Sequence, residues 1–220
     1  MDKIEVLVDT CFFEKLSGHG KHIDDFKSVL DALDYDPVVH PYLYEFEMKQ
    51  LAYIEQLAAE GYIRVASYSE FLPDSAHQIL YEGYFKSFHQ ALANRVNASA
   101  SAKHINELPL KVDIYKDHLA KSSMGDVHMI IMAVFTQIPI VLTDDHDITE
   151  LRSIAANLVQ YDGANFDIFD SADIIIKAAG SGSNKIKRDT LRNMLRSIGR
   201  KDCILKMGEA WERSHTTNKN

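Results

Sequence analysis

Apolar residues along this chain fall into short blocks of two kinds, and the two kinds alternate. Ile4, Val6, Leu7 and Val8 form a run typical of a strand buried on both faces. Phe12 to Leu16 begins a helix, which Ser17-Gly18-His19-Gly20 breaks. Asp24 and Asp25 open another, with Phe26, Val29, Leu30 and Leu33 at helical spacing, and Tyr35-Asp36-Pro37 stops it. Val38-Val39 is a second, very short strand. Pro41, at a first helical turn, starts a long amphipathic helix through Leu43, Phe46, Leu51, Ile54, Leu57 and Ala58, which Gly61 ends.

Tyr62 to Ala66 reads as an edge strand, and the stretch that follows, to about Lys121, is the least organised. Asp74 to Val96 has helical character and carries Tyr81, Tyr84, Phe85 and Phe88; residues 97–101 read as a loop. The pattern then sharpens into helix from Asp126 to Gln137, strand from Ile138 to Thr143, helix from Ile148 to Ala156, strand from Leu158 to Tyr161 and helix from Ala172 to Ala179. Strands alternating with helices imply an α/β fold on a parallel sheet. The division expected is one domain over 1–180, interrupted by a helical insertion at about 67–121, and a basic helical extension over 181–220 beyond Gly180-Ser181-Gly182-Ser183. Two helices are expected in that extension, near Lys185 to Ile198 and Cys203 to Arg213.

Carboxylates sit where such a sheet would gather them. Asp9-Thr10 follows the first strand, and Glu45 lies early in the helix after Pro41. Asp126 opens the apolar helix after Ser122-Ser123-Met124-Gly125, and Asp144-Asp145-His146-Asp147 follows the strand ending in Thr143. Clustered carboxylates repel one another and must hold protons or share a counter-charge. Oxygen ligands of this kind suit Mg²⁺ or Mn²⁺, whose usual work at such sites is to activate water against a phosphodiester. Glu45 and Glu47 are two apart and point to different helix sides; Glu45 is the preferred member of the cluster.

Charge is distributed unevenly. The formal net charge is −8, yet Lys185 to Lys201 holds seven bases against Asp189 alone, a local +6 on a remainder of −14. Lys185, Arg188, Arg192 and Arg196 are therefore candidate phosphate contacts, with the three arginines on one helical face. The two cysteines, Cys11 and Cys203, suit a reducing compartment. The opening residues do not read as a signal peptide, and no apolar run approaches the ~20 residues of a membrane span. A cytoplasmic protein without a membrane partner is expected.

Taken together, these segments resemble the PIN-domain nuclease family. Val6-Leu7-Val8-Asp9-Thr10 looks like its first strand, Gly125 to Ala133 is similar to its helix bearing a third acid, and Ile138 to Ile148 looks like its closing strand and Thr-x-Asp-x-Asp turn. The resemblance covers roughly 1–66 and 122–178. It implies a three-layer α/β/α domain and metal-dependent hydrolysis, usually of RNA, single-stranded or structured. By position Asp9, Glu45, Asp126 and Asp145 match its acidic quartet. Asp9, Asp126, Asp145 and Asp147 match metal ligands, with Thr10 and Thr143 in support. Cys11 departs from the small polar residue often found there.

Blander roles compete with each of these. Each acid alone reads as a turn or helix cap. His128 and His146 have no ligand spacing and read as surface or supporting residues. The aromatics from Tyr81 to Phe88 read as core or subunit packing. Cys11 occupies the place of the second Asp that a haloacid-dehalogenase-type phosphatase needs, and neither a glycine-rich phosphate loop nor a Gly-x-Ser-x-Gly elbow occurs. Two other functions fit the same pattern. One is a non-catalytic PIN-like binding module; the other is the toxin component of a toxin–antitoxin pair, with a protein inhibitor over the acids. A homo-oligomer fits any of the three.

Overall fold

The computed structural model describes residues 3–98, 104–145, 150–151, 153–154 and 166–216. Five parallel strands form one sheet in the order β3-β2-β1-β4-β5: β1 Ile4–Val8, β2 Tyr35–Val39, β3 Arg64–Val65, β4 Ile140–Leu142 and β5 Asp167–Phe169. Helices flank it, as the alternating pattern predicts, so the chain is α/β. Val6, Leu7, Val38, Val39, Val141 and Leu142 are fully buried, which is why these strands read as unbroken apolar runs.

The chain connects β1 to β2 through α1 (Thr10–Leu16) and α2 (Ile23–Ala32). β2 is longer than Val38-Val39 and includes Pro37. β3 meets β2 only at Val38 and Val39, so at Pro37 one side of the strand has no ladder to complete. The helix expected from Pro41 to Gly61 is broken into α3 (Pro41–Leu43), a π-turn over Tyr44–Met48 and α4 (Ala52–Ala59).

The insertion contains α5 (Tyr68–Phe71), α6 (Ser75–Ala98) and an irregular stretch leading to α7 (Met124–Thr136). Every residue of α7 from Met124 to Val134 is buried. A helix apolar on all sides needs cover on all sides. α6 supplies part of it through Tyr81, Phe85, Phe88, Leu92 and Val96, one buried stripe at helical spacing. Those aromatics are core.

A buried polar chain ties the insertion to the sheet. The Ile114 carbonyl lies 2.7 Å from His128 Nε2, so that nitrogen donates and His128 Nδ1 accepts from the Tyr81 hydroxyl at 2.7 Å. His40 Nδ1 accepts from the Tyr42 N–H, which leaves His40 Nε2 to donate to Tyr81 at 3.1 Å. Burial pushes His128 down to about 3, so it is neutral. The expected surface or supporting role for His128 is thus replaced by a core one.

After β5 come α8 (Ser171–Gly180), α9 (Arg188–Ser197), a 3₁₀ turn (Lys201–Cys203) and α10 (Ile204–Thr216). α9 and α10 pack on α8, burying Leu191, Leu195 and Met207. β5 has no counterpart in the sequence reading, and the expected strand at Leu158 to Tyr161 lies outside the described residues. So does most of the expected helix from Ile148 to Ala156, of which the described Leu151 and Ile154 are buried. No described helix is long and apolar enough to cross a membrane.

Candidate functional site

The sheet order places β1 between β2 and β4, so the chain leaves β1 toward one side first and the other side later. Such a reversal opens a crevice beyond the carboxyl ends of the two central strands. Asp9 ends β1 there and Thr143 ends β4. The register Val8↔Leu142 and a hydrogen bond from the Asp9 N–H to the Leu142 carbonyl, at 2.9 Å, hold the two ends together.

Asp9 is 5% exposed and its carboxylate is fixed at both oxygens. Oδ1 accepts from the Thr10 N–H at 2.7 Å, and Oδ2 accepts from the Thr143 hydroxyl at 2.8 Å and from the Cys11 thiol. Burial raises its pKa; the three hydrogen bonds oppose the rise, and the Asp145 charge adds to it.

The acid from the helix after β2 is Glu47, not Glu45. Glu45 is exposed and pairs with Lys49 at 3.0 Å, and it does not border the cleft. Glu47 accepts from the Thr10 hydroxyl at 2.9 Å. The π-turn sets the phase of these side chains, and Glu47 rather than Glu45 reaches the cleft. Burial, then Asp9, then Asp145 and Glu14 push Glu47 up to about 7 against the Thr10 hydrogen bond. Gly125 makes room for it: a Cβ there would stand 2.6 Å from Glu47 Oε1.

Asp126 is 9% exposed in the first turn of α7, where a carboxylate also complements the helix dipole. Asp145 donates its N–H to the Thr143 hydroxyl at 3.1 Å. Together Asp9, Glu14, Glu47, Asp126 and Asp145 line one cavity of about 350 Å³, with Lys121 and His118 among its other walls. Glu14 escaped the sequence reading, although it lies one helical turn beyond Thr10. Asp144 turns away, held by Lys15 at 2.8 Å and by the Ser171 hydroxyl. Asp147, an expected ligand, and His146 lie outside the described residues.

The acids supply an all-oxygen donor set of the type that hard cations take. Among the described residues, however, no three carboxylate, histidine or cysteine side chains are drawn together tightly enough to hold one ion.

The basic segment stands differently from its expected role. Lys185 pairs with Asp34, immediately before β2, at the sheet edge opposite the cleft. Arg188 pairs with Glu212 and Arg192 with Asp189. Arg200, by contrast, pairs with Asp170 just after β5, on the cleft's edge. α9 therefore runs from the far edge toward the near one, and Arg196 lies at its near end.

No protein-family model, curated protein or solved structure matches this chain.

Proposed function

We propose that the cleft is the active site of a nuclease that hydrolyses RNA with Mg²⁺ or Mn²⁺, as the resemblance to PIN-domain nucleases implies. One observation carries the reading: the buried Asp9 and the half-buried Glu47, from separate segments, are both pushed toward protonation beside Asp145. Such a pair gains most from a bound hard cation.

Asp9, Asp126 and Asp145 would hold the ion, with Glu47 in the place expected of Glu45. Bound there, the ion would supply an activated water and charge stabilisation on the phosphate. Thr10, Thr143 and Cys11 orient Asp9 by donating to its oxygens. The Thr10 hydroxyl holds Glu47 Oε2 and leaves Oε1 to accept a proton from water.

The test is cleavage of a labelled single-stranded RNA with Mn²⁺, with EDTA, and by Asp9→Asn. Cleavage that requires the ion and is lost in Asp9→Asn supports the reading; undiminished cleavage in EDTA or by Asp9→Asn sinks it. A second reading is a non-catalytic binding module whose acids hold no ion. Calorimetric titration with Mn²⁺ separates the two, because the module would show no saturable site. A toxin component would need an inhibitor seated over the same acids.

A further inference from the structure

A second cavity, of about 430 Å³, opens beside the acidic cleft. Tyr44, Phe46, Tyr68 and Tyr115 line it, with Lys116 at its rim, and Tyr42 is common to both cavities. Its walls come from the π-turn after β2, from the segment after β3 and from the insertion. β2 and β3 run parallel to β1 and β4, so both cavities lie along the same carboxyl edge. Aromatic contacts link their walls: Tyr42 lies 4.7 Å from Phe46, and Phe46 stacks at 5.6 Å on the exposed His118, a wall of the acidic cleft.

We propose that this aromatic cavity seats a base of single-stranded RNA, next to the phosphate held in the acidic cleft. The inference rests on the nuclease reading of that cleft. Three observations support it independently of the acids. The four rings are half-buried, so part of their surface remains open to a ligand, and base stacking on aromatics is the common means of holding single strands. The hydroxyls of Tyr68 and Tyr115 are buried with no hydrogen-bond partner in the protein. A base edge offers partners to such groups, and an aliphatic occupant would not. Lys116, 82% exposed and only loosely paired with Asp113 at 3.6 Å, stands at the rim where an adjoining phosphate would pass. A duplex would keep its bases stacked on each other and out of such a pocket, so the substrate class is single-stranded.

The π-turn gives this arrangement its economy. Three successive residues serve both cavities: Glu45 and Phe46 line the aromatic one, and Glu47 lines the acidic one.

The experiment uses wild-type protein, Mn²⁺ and a short unstructured RNA cleaved at one bond. Each base is removed in turn to leave an abasic site. One abasic position flanking the cleaved bond is expected to raise KM about fivefold or more, the lower limit of one base–aromatic stack, with kcat little changed. Tyr115→Leu is expected to raise KM for the intact RNA similarly and to make it indifferent to that abasic site. Tyr115→Phe keeps the ring but loses the hydroxyl, and is expected to raise KM less than Tyr115→Leu. Cleavage without any position-dependent abasic effect overturns the base pocket and leaves the nuclease reading intact. Absence of metal-dependent cleavage of every RNA overturns both. If Tyr115→Leu does not fold, the abasic series on the wild-type protein decides alone.

Discussion

Gly125 and Glu47 share space that admits no further atom: a Cβ on Gly125 would lie 2.6 Å from Glu47 Oε1 and 2.6 Å from Leu43 Cδ2. One contact is a mobile carboxylate, but the other is a buried leucine in a packed turn. The helix tolerates alanine well, so propensity favours the substitution while packing opposes it.

Gly125→Ala is therefore expected to displace Glu47 toward the cleft mouth. Overpacking of this kind costs about 1–3 kcal/mol, less here as Glu47 yields. Calorimetric titration with Mn²⁺ is expected to show weakened binding, while urea denaturation shows only a modest loss. Unaltered Mn²⁺ affinity would mean that Glu47 has no part in holding the ion.

The raised Glu47 gives metal-free stability a definite pH dependence. Its pKa is about 7 in the folded chain against the ordinary 4.5. Between these values the unfolded chain has released the proton and the folded chain still holds it. At this group the unfolded state thus binds fewer protons, so its contribution to stability falls as pH rises from about 4.5 to 7, opposite in sign to that of His40, His89 and His128, whose lowered values favour the neutral folded form. Asp9, also raised, acts in the same direction. The upper bound for Glu47 is about 3 kcal/mol at roughly 1.4 kcal/mol per pK unit. Urea denaturation in EDTA across this range measures it. Relative to wild type, Glu47→Gln is expected to gain stability as pH rises through this range, and Mn²⁺ to stabilise the wild type at neutral pH. Identical pH profiles for wild type and Glu47→Gln in EDTA would refute a raised Glu47.

What could be read from the sequence follows from how local each feature is. Val6 to Val8 and Ile140 to Leu142 announce themselves because strands buried on both faces leave unbroken apolar runs. Asp9, Thr143, Asp126 and Asp145 were legible because each directly ends a strand or opens a helix. Glu47 was not, since nothing in Tyr44–Met48 signals a π-turn and the helical period says only that Glu45 and Glu47 face different sides. The three-residue β5 is too short to show a period. The partners of Lys185, Arg188 and Arg200 are Asp34, Glu212 and Asp170, all distant in sequence, so a run of bases looked unpaired when much of it is not. The aromatic cavity escaped for the same reason, its rings coming from three separate segments.

Those pairings change what the basic segment is expected to do for RNA. Lys185 lies at the far edge of the sheet and already meets Asp34 at 3.0 Å. Arg196 is exposed at the near end of α9. Arg196→Gln is expected to lower the log–log salt slope of single-stranded RNA binding by about 0.7, the value for one lost phosphate contact. Lys185→Gln is expected to leave the slope unchanged. Fluorescence anisotropy over a salt series checks both. Equal effects from the two residues would contradict the direction in which α9 crosses the fold.

Cys11 offers a chemical probe of the same acidic ground. Its thiol donates to Asp9 Oδ2 and lies 3.4 Å from the Thr143 hydroxyl. Burial first, and then the Asp9 charge, push its pKa far above the usual thiol value. Alkylation requires the thiolate, so Cys11 is expected to resist iodoacetamide at pH 8 in the folded, metal-free protein. Asp9→Asn removes the repelling charge and leaves the burial. It is expected to increase the labelling rate of Cys11, with the remaining protection due to burial alone. Mass spectrometry of the Cys11 peptide after timed labelling measures both rates. Rapid labelling of the wild-type protein would mean that the thiol does not donate to Asp9. The carboxylate would then be held by Thr10 and Thr143 alone, and Cys11→Ala would leave Mn²⁺ binding unchanged.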